Sequence, residues 1–280
     1  MRMDAFTEEL NIDRYLAGLQ LYGDDFGAEE VRRWLKEEEN GYRELGAADQ
    51  ERYIYSYHAL NAYQSFAGLP HARRFTHVLG MGAAYGHELL PILHLIDKVT
   101  IVDPGFHINK IRGMPVSYLK PGELGSLPCN DNTFDLITSF SVLHHLPNVS
   151  FQVHELFRCL RPGGFLLLRE PIISMGDWRY PRRGITSHER GIPIGIFRRI
   201  LTECGFTIVR ERKCTFSLMS RLRWILRRPV YNVRWCVALD DWISNLSVWS
   251  DRYHPRHVWH KVRPWSVAYI LQKPGSEPLD

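Results

Sequence analysis

The sequence predicts an α/β protein built on a doubly wound, mostly parallel sheet. From about residue 75 onwards, short runs rich in β-branched and aromatic residues alternate with helical segments. A glycine cluster, Gly80-x-Gly82-x-x-x-Gly86, follows the first of these runs and precedes a helix, and Asp103 ends the second run. Strands that alternate with helices are joined by right-handed crossovers, which place helices on both faces of a parallel sheet.

Four segments are predicted along the chain. Residues 1–74 form an N-terminal helical cap, because EEVRRWLKEEE and ERYIYSYHALNAYQSFAG place apolar residues at helical spacing. Residues 75–212 form a Rossmann-like core, with strands at FTHVLG, KVTIVD, PVSYL, FDLITSF, GFLLLRE and FTIVRER. Its helices are HELLPILHLI, VSFQVHELFRCL and PIGIFRRILTECG, the last ended by Gly205. A helical Trp/Arg-rich insertion occupies 213–264, and residues 265–273 form the seventh and final strand.

Composition narrows the class of protein. The chain has 280 residues, 45% hydrophobic and 24% charged, which is ordinary for a globular protein. A net charge of +4 is too small to indicate nucleic-acid binding, although residues 218–265 hold nine Lys/Arg against three Asp/Glu. We therefore expect no nucleic-acid partner.

The cysteines and the N-terminal residues indicate the cellular compartment of the protein. The five cysteines are scattered and form no C-x-x-C pair, which argues against a disulfide framework and structural zinc and favours a reducing compartment. The N-terminus MRMDAFTEEL carries acids where a signal peptide needs an apolar core. No apolar run approaches the roughly 20 residues that span a bilayer. We expect a cytoplasmic protein.

The glycine loop alone fits two cofactors. A strand, a glycine-rich turn and a helix start bind ligands at the carboxyl edge of α/β sheets, where glycine permits close approach or positive φ. Asp103 stands 21 residues after Gly82, and an acid there accepts hydrogen bonds from ribose hydroxyls. NAD and S-adenosylmethionine (SAM) both carry that ribose. The loop could also be a packing turn, and Asp103 could cap the turn DPG.

Later motifs separate these alternatives. Leu127-Pro128 precedes Phe134-Asp135, and a helix ends in Leu160-Arg161-Pro162-Gly163-Gly164 before the fifth strand. The order and spacing of these motifs over residues 75–212 resemble the class I SAM-dependent methyltransferases of the small-molecule type. No Tyr-x-x-x-Lys or equivalent follows the fourth strand, so a dehydrogenase is disfavoured. The resemblance implies SAM as the cofactor.

The resemblance also implies a set of cofactor-binding residues. The first loop of this family reads acid-x-Gly-x-Gly-x-Gly, so Gly80 stands in place of the acid that helps to hold the methionine ammonium. Ala84 replaces the middle glycine. These two departures keep a catalytically silent binding module as an alternative. The implied cofactor residues are Gly80, Gly82, Ala84, Gly86, Asp103, Glu123, Leu124 and Ser139.

Each remaining member of this set has an implied role. Asp103 matches the ribose-binding acid, and Glu123 occupies the position that accepts from the adenine amino group. Leu124 would offer its backbone N–H to the ring. Ser139, with Phe140 beside it, would line the methionine end, or it is only a turn residue at the end of a strand.

Three residues are candidate catalytic groups: His144, His145 and Glu170. Transfer to a hydroxyl needs a general base, and histidine titrates near neutral pH. The two histidines follow the fourth strand, where one of them could equally pack in a turn, and the residues alone give no preference. Glu170 closes the fifth strand toward the site, or pairs with Arg169. His188-Glu189 is interpreted as the cap of a helix that starts near Ile192, and no metal is expected.

The composition of the insertion indicates which kind of molecule could accept the methyl group. Six of eight tryptophans lie at or after residue 224. Trp with Arg is typical of stacking surfaces, anion pockets and membrane-interface helices, although these side chains could also pack on the main domain. We expect O-methylation of a small molecule or a glycan/glycolipid precursor, with a quinone-like or aromatic acceptor as the alternative. Residues 218–235 form a candidate contact with anionic lipid, and the oligomeric state is not predicted.

Overall fold

The computed structural model describes residues 12–44, 53–70, 74–105, 108–180, 182 and 184–275. Within them lies one eight-stranded sheet with the strand order β3-β4-β2-β1-β5-β6-β8-β7. The strands are β1 (Val78–Met81), β2 (Val99–Val102), β3 (Lys110–Ile111), β4 (Met114–Leu119), β5 (Phe134–Phe140), β6 (Leu160–Pro171), β7 (Thr207–Phe216) and β8 (Pro264–Gln272).

The predicted doubly wound, mostly parallel sheet is confirmed. Strand β1 pairs in parallel with β2 and β5, and β5 pairs in parallel with β6. Strand β8 runs antiparallel between β6 and β7, so β7 is parallel to β6. The sheet has eight strands and not seven, because the two-residue strand β3 forms a small hairpin with β4. The carboxyl ends of β1, β2, β5, β6 and β7 therefore share one edge.

Six α-helices lie within the described residues. They are α1 (Ala28–Glu44), α2 (His58–Gln64), α3 (Val149–Cys159), α4 (Ile194–Glu203), α5 (Arg223–Leu226) and α6 (Arg234–Ser244). The left-handed Gly205 ends α4 as predicted, with φ at +103°.

Three predicted elements have different bounds. Residues His87–Leu95 form a 3₁₀ helix and not an α-helix, because Pro91 lies inside it and offers no backbone N–H. Of the helix predicted over 51–68, only α2 and a 3₁₀ turn at Phe66–Gly68 are helical, and residues 51 and 52 lie outside the described part. The sixth predicted strand, β7, continues to Phe216. The division into segments otherwise stays a prediction.

Apolar side chains fill both faces of the sheet. On one face, Ile137, Leu166 and Leu168 pack with residues of α3 and α4. On the other face, Val78, Leu136 and Leu167 pack with residues of the 3₁₀ helix that follows the glycine loop. Both faces of the central strands are buried, as parallel strands between helical layers require.

None of the helices in the described residues has the length and apolar character that a membrane span requires. All five cysteines are described, and all are free thiols.

A polar network lies inside the sheet near its carboxyl edge. The Thr138 hydroxyl donates to Glu88, and the buried Arg169 guanidinium donates to Asn61 of α2. Burial raises the pKa of the Glu88 carboxyl to about 7, although the Thr138 hydrogen bond and the charge of Arg169 lower it. Glu88 is thus a buried acid that changes charge near neutral pH.

Glu88 predicts a pH dependence of stability. Its pKa is higher in the folded state than the usual 4.5, so the free energy of unfolding falls as pH rises from about 4.5 through about 7. Glu88→Gln removes this dependence. Above pH 7, the free energy of unfolding of the variant should exceed that of the wild type by on the order of 3 kcal/mol. Urea unfolding at several pH values measures this, with the exposed Glu203→Gln as the control. Parallel curves for wild type and Glu88→Gln would contradict the assignment.

Candidate active site

The glycine loop after β1 needs its glycines for shape and for packing. Gly82 and Gly86 have φ of +62° and +66°. A Cβ on Gly82 would lie 2.6 Å from Val142 Cγ2, and one on Gly86 would collide with Ile111. Gly80 lies within β1, where a Cβ would be 2.8 Å from the Ala83 Cβ. The loop after β1 is therefore held directly against the segment that follows β5.

Asp103 fixes this loop from the end of β2. Its Oδ2 accepts from the Ala84 N–H at 3.1 Å, and its Oδ1 accepts from the Gly105 N–H at 2.9 Å. The cap on the DPG turn, one of the two predicted alternatives, is present. It does not exclude the other, because each carboxylate oxygen has a second lone pair that a ribose hydroxyl can use. The ribose role stays a prediction.

The other implied cofactor residues differ in access. The Glu123 carboxylate is 85% exposed and lies 3.7 Å from the Arg32 guanidinium of α1. Leu124 is half-buried. Ser139 is fully buried in β5, and its hydroxyl has no hydrogen-bond partner in the described part of the chain. Glu123 is thus open to a ligand, whereas Ser139 reaches no surface.

Glu170 organises the turn that carries the two histidines. Its Oε1 accepts from the N–H groups of Val142 and Leu143, both at 2.9 Å. Its Oε2 accepts from His144, at 3.3 Å from the backbone N and 2.8 Å from Nδ1. The carboxylate is fully buried under the 3₁₀ turn Leu143–His145. This corrects the prediction of a catalytic role, since a buried carboxylate with four donors cannot reach an acceptor, and Arg169 is not its partner.

His144 lies between two carboxylates. Its Nδ1 is bonded to Glu170, and its Nε2 is 3.5 Å from Glu189 Oε1. Burial lowers the pKa of His144, but the hydrogen bonds to Glu170 and Glu189 more than offset it and raise the pKa to about 9. A buried ring with a carboxylate facing each nitrogen is closed to an acceptor hydroxyl. The geometry therefore disfavours His144 as the general base.

His145 turns the other way, toward the N-terminal segment. Its Nδ1 is 3.1 Å from Oε2 of Glu38 in α1, and its side chain is 24% exposed. The Glu38 carboxyl is buried. Of the two adjacent histidines, only His145 has both a carboxylate that orients it and access to solvent.

The segment at 188–189 does not cap the following helix. Helix α4 begins after Pro193 without a side-chain cap. Glu189 instead accepts from the Thr186 N–H at 3.2 Å and faces His144, and the His188 Nε2 is 2.6 Å from Glu37 of α1. Both side chains tie the loop after β6 to the candidate site.

One group of side chains has the composition of a metal site. Ligand atoms of His144, His145 and Glu189 lie within 4.8 Å of one another. Both ring nitrogens of His144 already face carboxylates, which balance its charge without an ion. We assign no metal to this group.

Sequence reasoning missed two supports of the turn. The fully buried Arg190 donates to the carbonyls of Tyr22, His144 and Leu146 at 2.9–3.0 Å. The Trp34 indole N–H donates to the His145 carbonyl at 2.7 Å. An aromatic cluster of Tyr22, Phe26, Trp34, Trp178 and His188 covers this region. No local sequence pattern marks these partners, because they come from segments far apart in the chain.

A strand–glycine loop–helix unit with an acid after β2 is the arrangement found at the ligand-binding edge of α/β sheets. A family model described as "Methyltransferase domain" matches residues 79–168. Over this segment the chain is similar to the class I SAM-dependent methyltransferases, whose cofactor is SAM.

Curated relatives agree over part of the chain. A protein of Mycolicibacterium smegmatis named "Probable S-adenosylmethionine-dependent methyltransferase" is 29% identical over 137 residues, 47% of this chain. The match spans only 50% of that protein. The Escherichia coli protein YafE is 27% identical over 153 residues, covering 51% of this chain and 68% of its own length.

Solved structures share the fold at low identity. A chain of the complex between the Haloferax volcanii Trm112 methyltransferase activator and a proposed methyltransferase is 14% identical. It has a TM-score of 0.52, with 88% of this chain and 98% of that chain covered. A proposed sarcosine dimethylglycine methyltransferase from Galdieria sulphuraria is 16% identical. Its TM-score is 0.50, with 85% and 98% covered. These structures support the fold alone.

The ion pair of His144 predicts a second pH range over which the free energy of unfolding changes. The folded pKa is raised to about 9 from the usual 6.5, so its stabilisation is complete below about 6.5 and is lost as pH rises through about 9. We expect a loss on the order of 3 kcal/mol over that window in the wild type and none in His144→Gln. Chemical unfolding between about pH 6 and 10 measures it. The exposed His94→Gln should retain the wild-type slope; an equal slope in His144→Gln would refute the pairing.

Proposed function

We propose that this chain transfers the methyl group of SAM to a hydroxyl of a small molecule, with a glycan or glycolipid precursor as the favoured acceptor. The observation that carries the proposal is the loop Gly82–Gly86, fixed by Asp103 at the carboxyl edge of β1 and β2, within the segment matched by the methyltransferase model. The residues at this edge fit the cofactor, because Gly82 and Gly86 permit the left-handed turns of the loop and Asp103 keeps acceptor capacity.

The placement and solvent exposure of Asp103 and Glu123 indicate how each would contact the cofactor. Asp103 would hold the ribose, and the exposed Glu123 would accept from the adenine amino group. When bound, SAM supplies an electrophilic methyl group on a sulfonium. The protein's task is then alignment of an in-line displacement, for which positioning is the main contribution.

His145 is our proposed general base, with Glu38 as its orienting partner. The Glu38 carboxylate lies 3.1 Å from Nδ1 and can orient the ring. The acceptor hydroxyl would pass its proton to the His145 ring as its oxygen bonds to the methyl carbon. The arrangement of base and orienting acid is the general one for activating a hydroxyl.

A cavity of about 530 Å³ supports a charged, polar acceptor. It lies between the N-terminal segment, the loop after β6 and the end of the insertion, and its charged lining residues are Asp13, Asp177, Arg179, Arg252 and Arg256. Arg179 is paired with Asp177, which leaves Arg252 and Arg256 as the groups that would bind phosphate or carboxylate oxygens. A polar glycan precursor suits this charged lining better than a neutral quinone-like compound.

The silent binding module remains a second candidate on one observation. Ala84 has a φ of +46°, in the left-handed region where the family pattern has glycine. The strain of an alanine there favours weak cofactor binding.

SAM binding is the first prediction from this assignment. Isothermal calorimetry should show binding of SAM and of S-adenosylhomocysteine, and Asp103→Asn should weaken both on the order of 10- to 100-fold, because a charged acceptor is lost. Asp97→Asn, at the opposite end of the same strand, is the matched control and should bind as the wild type. Absence of heat at millimolar ligand would favour the silent module.

The base is the second prediction. On a hydroxyl acceptor identified with methyl-labelled SAM from a panel of glycosides, glycolipids and phenols, His145→Gln should lower turnover on the order of 10²- to 10⁴-fold. It should also lose the acidic limb of the pH–rate profile. Glu38→Gln should shift that limb with a smaller loss of rate, since it acts through His145.

Controls separate this role from folding. His154→Gln, on the exposed side of α3, should keep the wild-type profile, and all variants should bind SAM unchanged. An unaltered pH profile in His145→Gln would rule out this histidine as the base. Transfer only to phenols would favour the aromatic acceptor instead.

A further inference from the structure

The insertion at 217–263 projects from the same sheet edge as the glycine loop. Strand β7 ends at Phe216, which pairs with Pro264 at the start of β8, so the insertion leaves and re-enters the sheet at one point. Because β7 runs parallel to β6, that point is on the carboxyl edge. The insertion therefore leaves the sheet on the same edge as the glycine loop, at the outer strand β7.

The acids of α6 face the protein. Asp240 is fully buried and accepts from the backbone N–H groups of Thr215 at 2.9 Å and Phe216 at 2.7 Å. Asp241 is 2.6 Å from the Arg212 guanidinium of β7. These bonds fix which side of the helix points inward.

The opposite side of α6 is apolar and exposed. Trp235, Leu239 and Trp242 are spaced i, i+4 and i+7, which places them on one stripe of the helix. Their exposed fractions are 55%, 37% and 65%. An ordinary surface helix has the reverse arrangement, with polar groups outward.

The segment before α6 repeats this pattern. In and around α5, Leu222 and Leu226 pack on the small core formed by Phe216, Met219 and residues of α6. Between them, Trp224 and Ile225 are 78% and 77% exposed. The two helices thus share one core beneath and present large apolar side chains to solvent above it.

Arginines surround these apolar groups. Five of them are exposed, and none forms an ion pair within the described residues. Residues 217–235 contain no Asp or Glu, and the insertion's one exposed acid, Asp251, is paired with Lys213. We call this surface the Trp–Arg face; its charged members are Arg221, Arg223, Arg227, Arg228 and Arg234.

We propose that the Trp–Arg face docks on the surface of an anionic lipid bilayer. Its cations complement anionic headgroups, while Trp224, Trp235 and Trp242 are suited to the interfacial zone and Ile225 to the acyl boundary. Nucleic-acid backbones would use the arginines but leave Ile225 and Leu239 in water. A second copy of the chain would bring two positive faces together. The inference does not rest on the proposed methyl transfer.

Co-sedimentation with lipid vesicles tests the face on the full chain. Wild-type protein should pellet with phosphatidylcholine vesicles that contain phosphatidylglycerol and remain in solution with phosphatidylcholine alone. Arg223→Glu/Arg227→Glu/Arg228→Glu should partition on the order of a hundredfold more weakly into the anionic vesicles. Trp224→Ser/Ile225→Ser should also partition more weakly at unchanged charge. Bromine-labelled acyl chains should quench the tryptophan fluorescence of the wild type.

Matched controls keep the test specific. Lys98→Glu/Lys110→Glu/Arg199→Glu makes the same charge change on other surfaces and should pellet as the wild type, as should Tyr180→Ser for the aromatic change. Thermal unfolding and SAM calorimetry confirm that each variant is folded.

Several outcomes would overturn the proposal. The first is equal recovery of the wild-type protein with anionic and with neutral vesicles. Binding lost in the arginine variant but not in Trp224→Ser/Ile225→Ser, together with retention of a DNA duplex, assigns the face to nucleic acid. A wild-type dimer in light scattering that Trp224→Ser/Ile225→Ser converts to a monomer assigns it to self-association.

Discussion

The buried carboxylate of Glu170 is the interaction on which the candidate site depends. It accepts two backbone N–H groups, from Val142 and Leu143, and both the backbone and side chain of His144. These backbone donors begin a 3₁₀ turn inside the protein, where an unpaired N–H is costly. Alternation along β6 sends Arg169 to the opposite face and Glu170 to this one. The end of strand β6 thereby sets the position of the residues that follow β5.

Charge balance extends this constraint to the rest of the site. Carboxylates of Glu38, Glu170 and Glu189 converge on His144 and His145 from α1, β6 and the loop after β6. Removing one partner of such a buried set leaves an uncompensated charge, which is strongly destabilising. The set therefore selects one arrangement of the N-terminal segment over the sheet edge, and the Trp34 indole and the buried Arg190 hold the same turn by its carbonyl oxygens.

The sequence predicted the sheet well because strands and helix ends leave local signals. Seven strands, the end of α4 at Gly205 and the glycine loop were all legible from residues close together in the chain. The segment His87–Leu95 departs from the α-helix that its apolar spacing predicts, because Pro91 offers no backbone N–H.

The site was harder to predict because its chemistry depends on contacts across long separations. Glu38 and His145 are 107 residues apart, so no pattern near either one indicates the pair. His144 and His145 are identical in type and adjacent in sequence, yet one lies between carboxylates inside the protein and the other is partly exposed beside α1. Only the fold separates their roles, because successive side chains of a tight turn point to different neighbours.

Ala84 shows how the loop keeps its shape despite a departure from the family pattern. A left-handed alanine costs roughly 1–2 kcal/mol relative to an ordinary conformation. The Asp103 carboxylate offsets this cost by accepting the Ala84 N–H, since a hydrogen bond to a charged acceptor contributes about 1.5–3 kcal/mol. The acid that would contact the cofactor ribose is thus also the group that holds the strained residue in place. Because both tasks fall on one side chain, the geometry of the loop and the placement of the proposed ribose acceptor are set together.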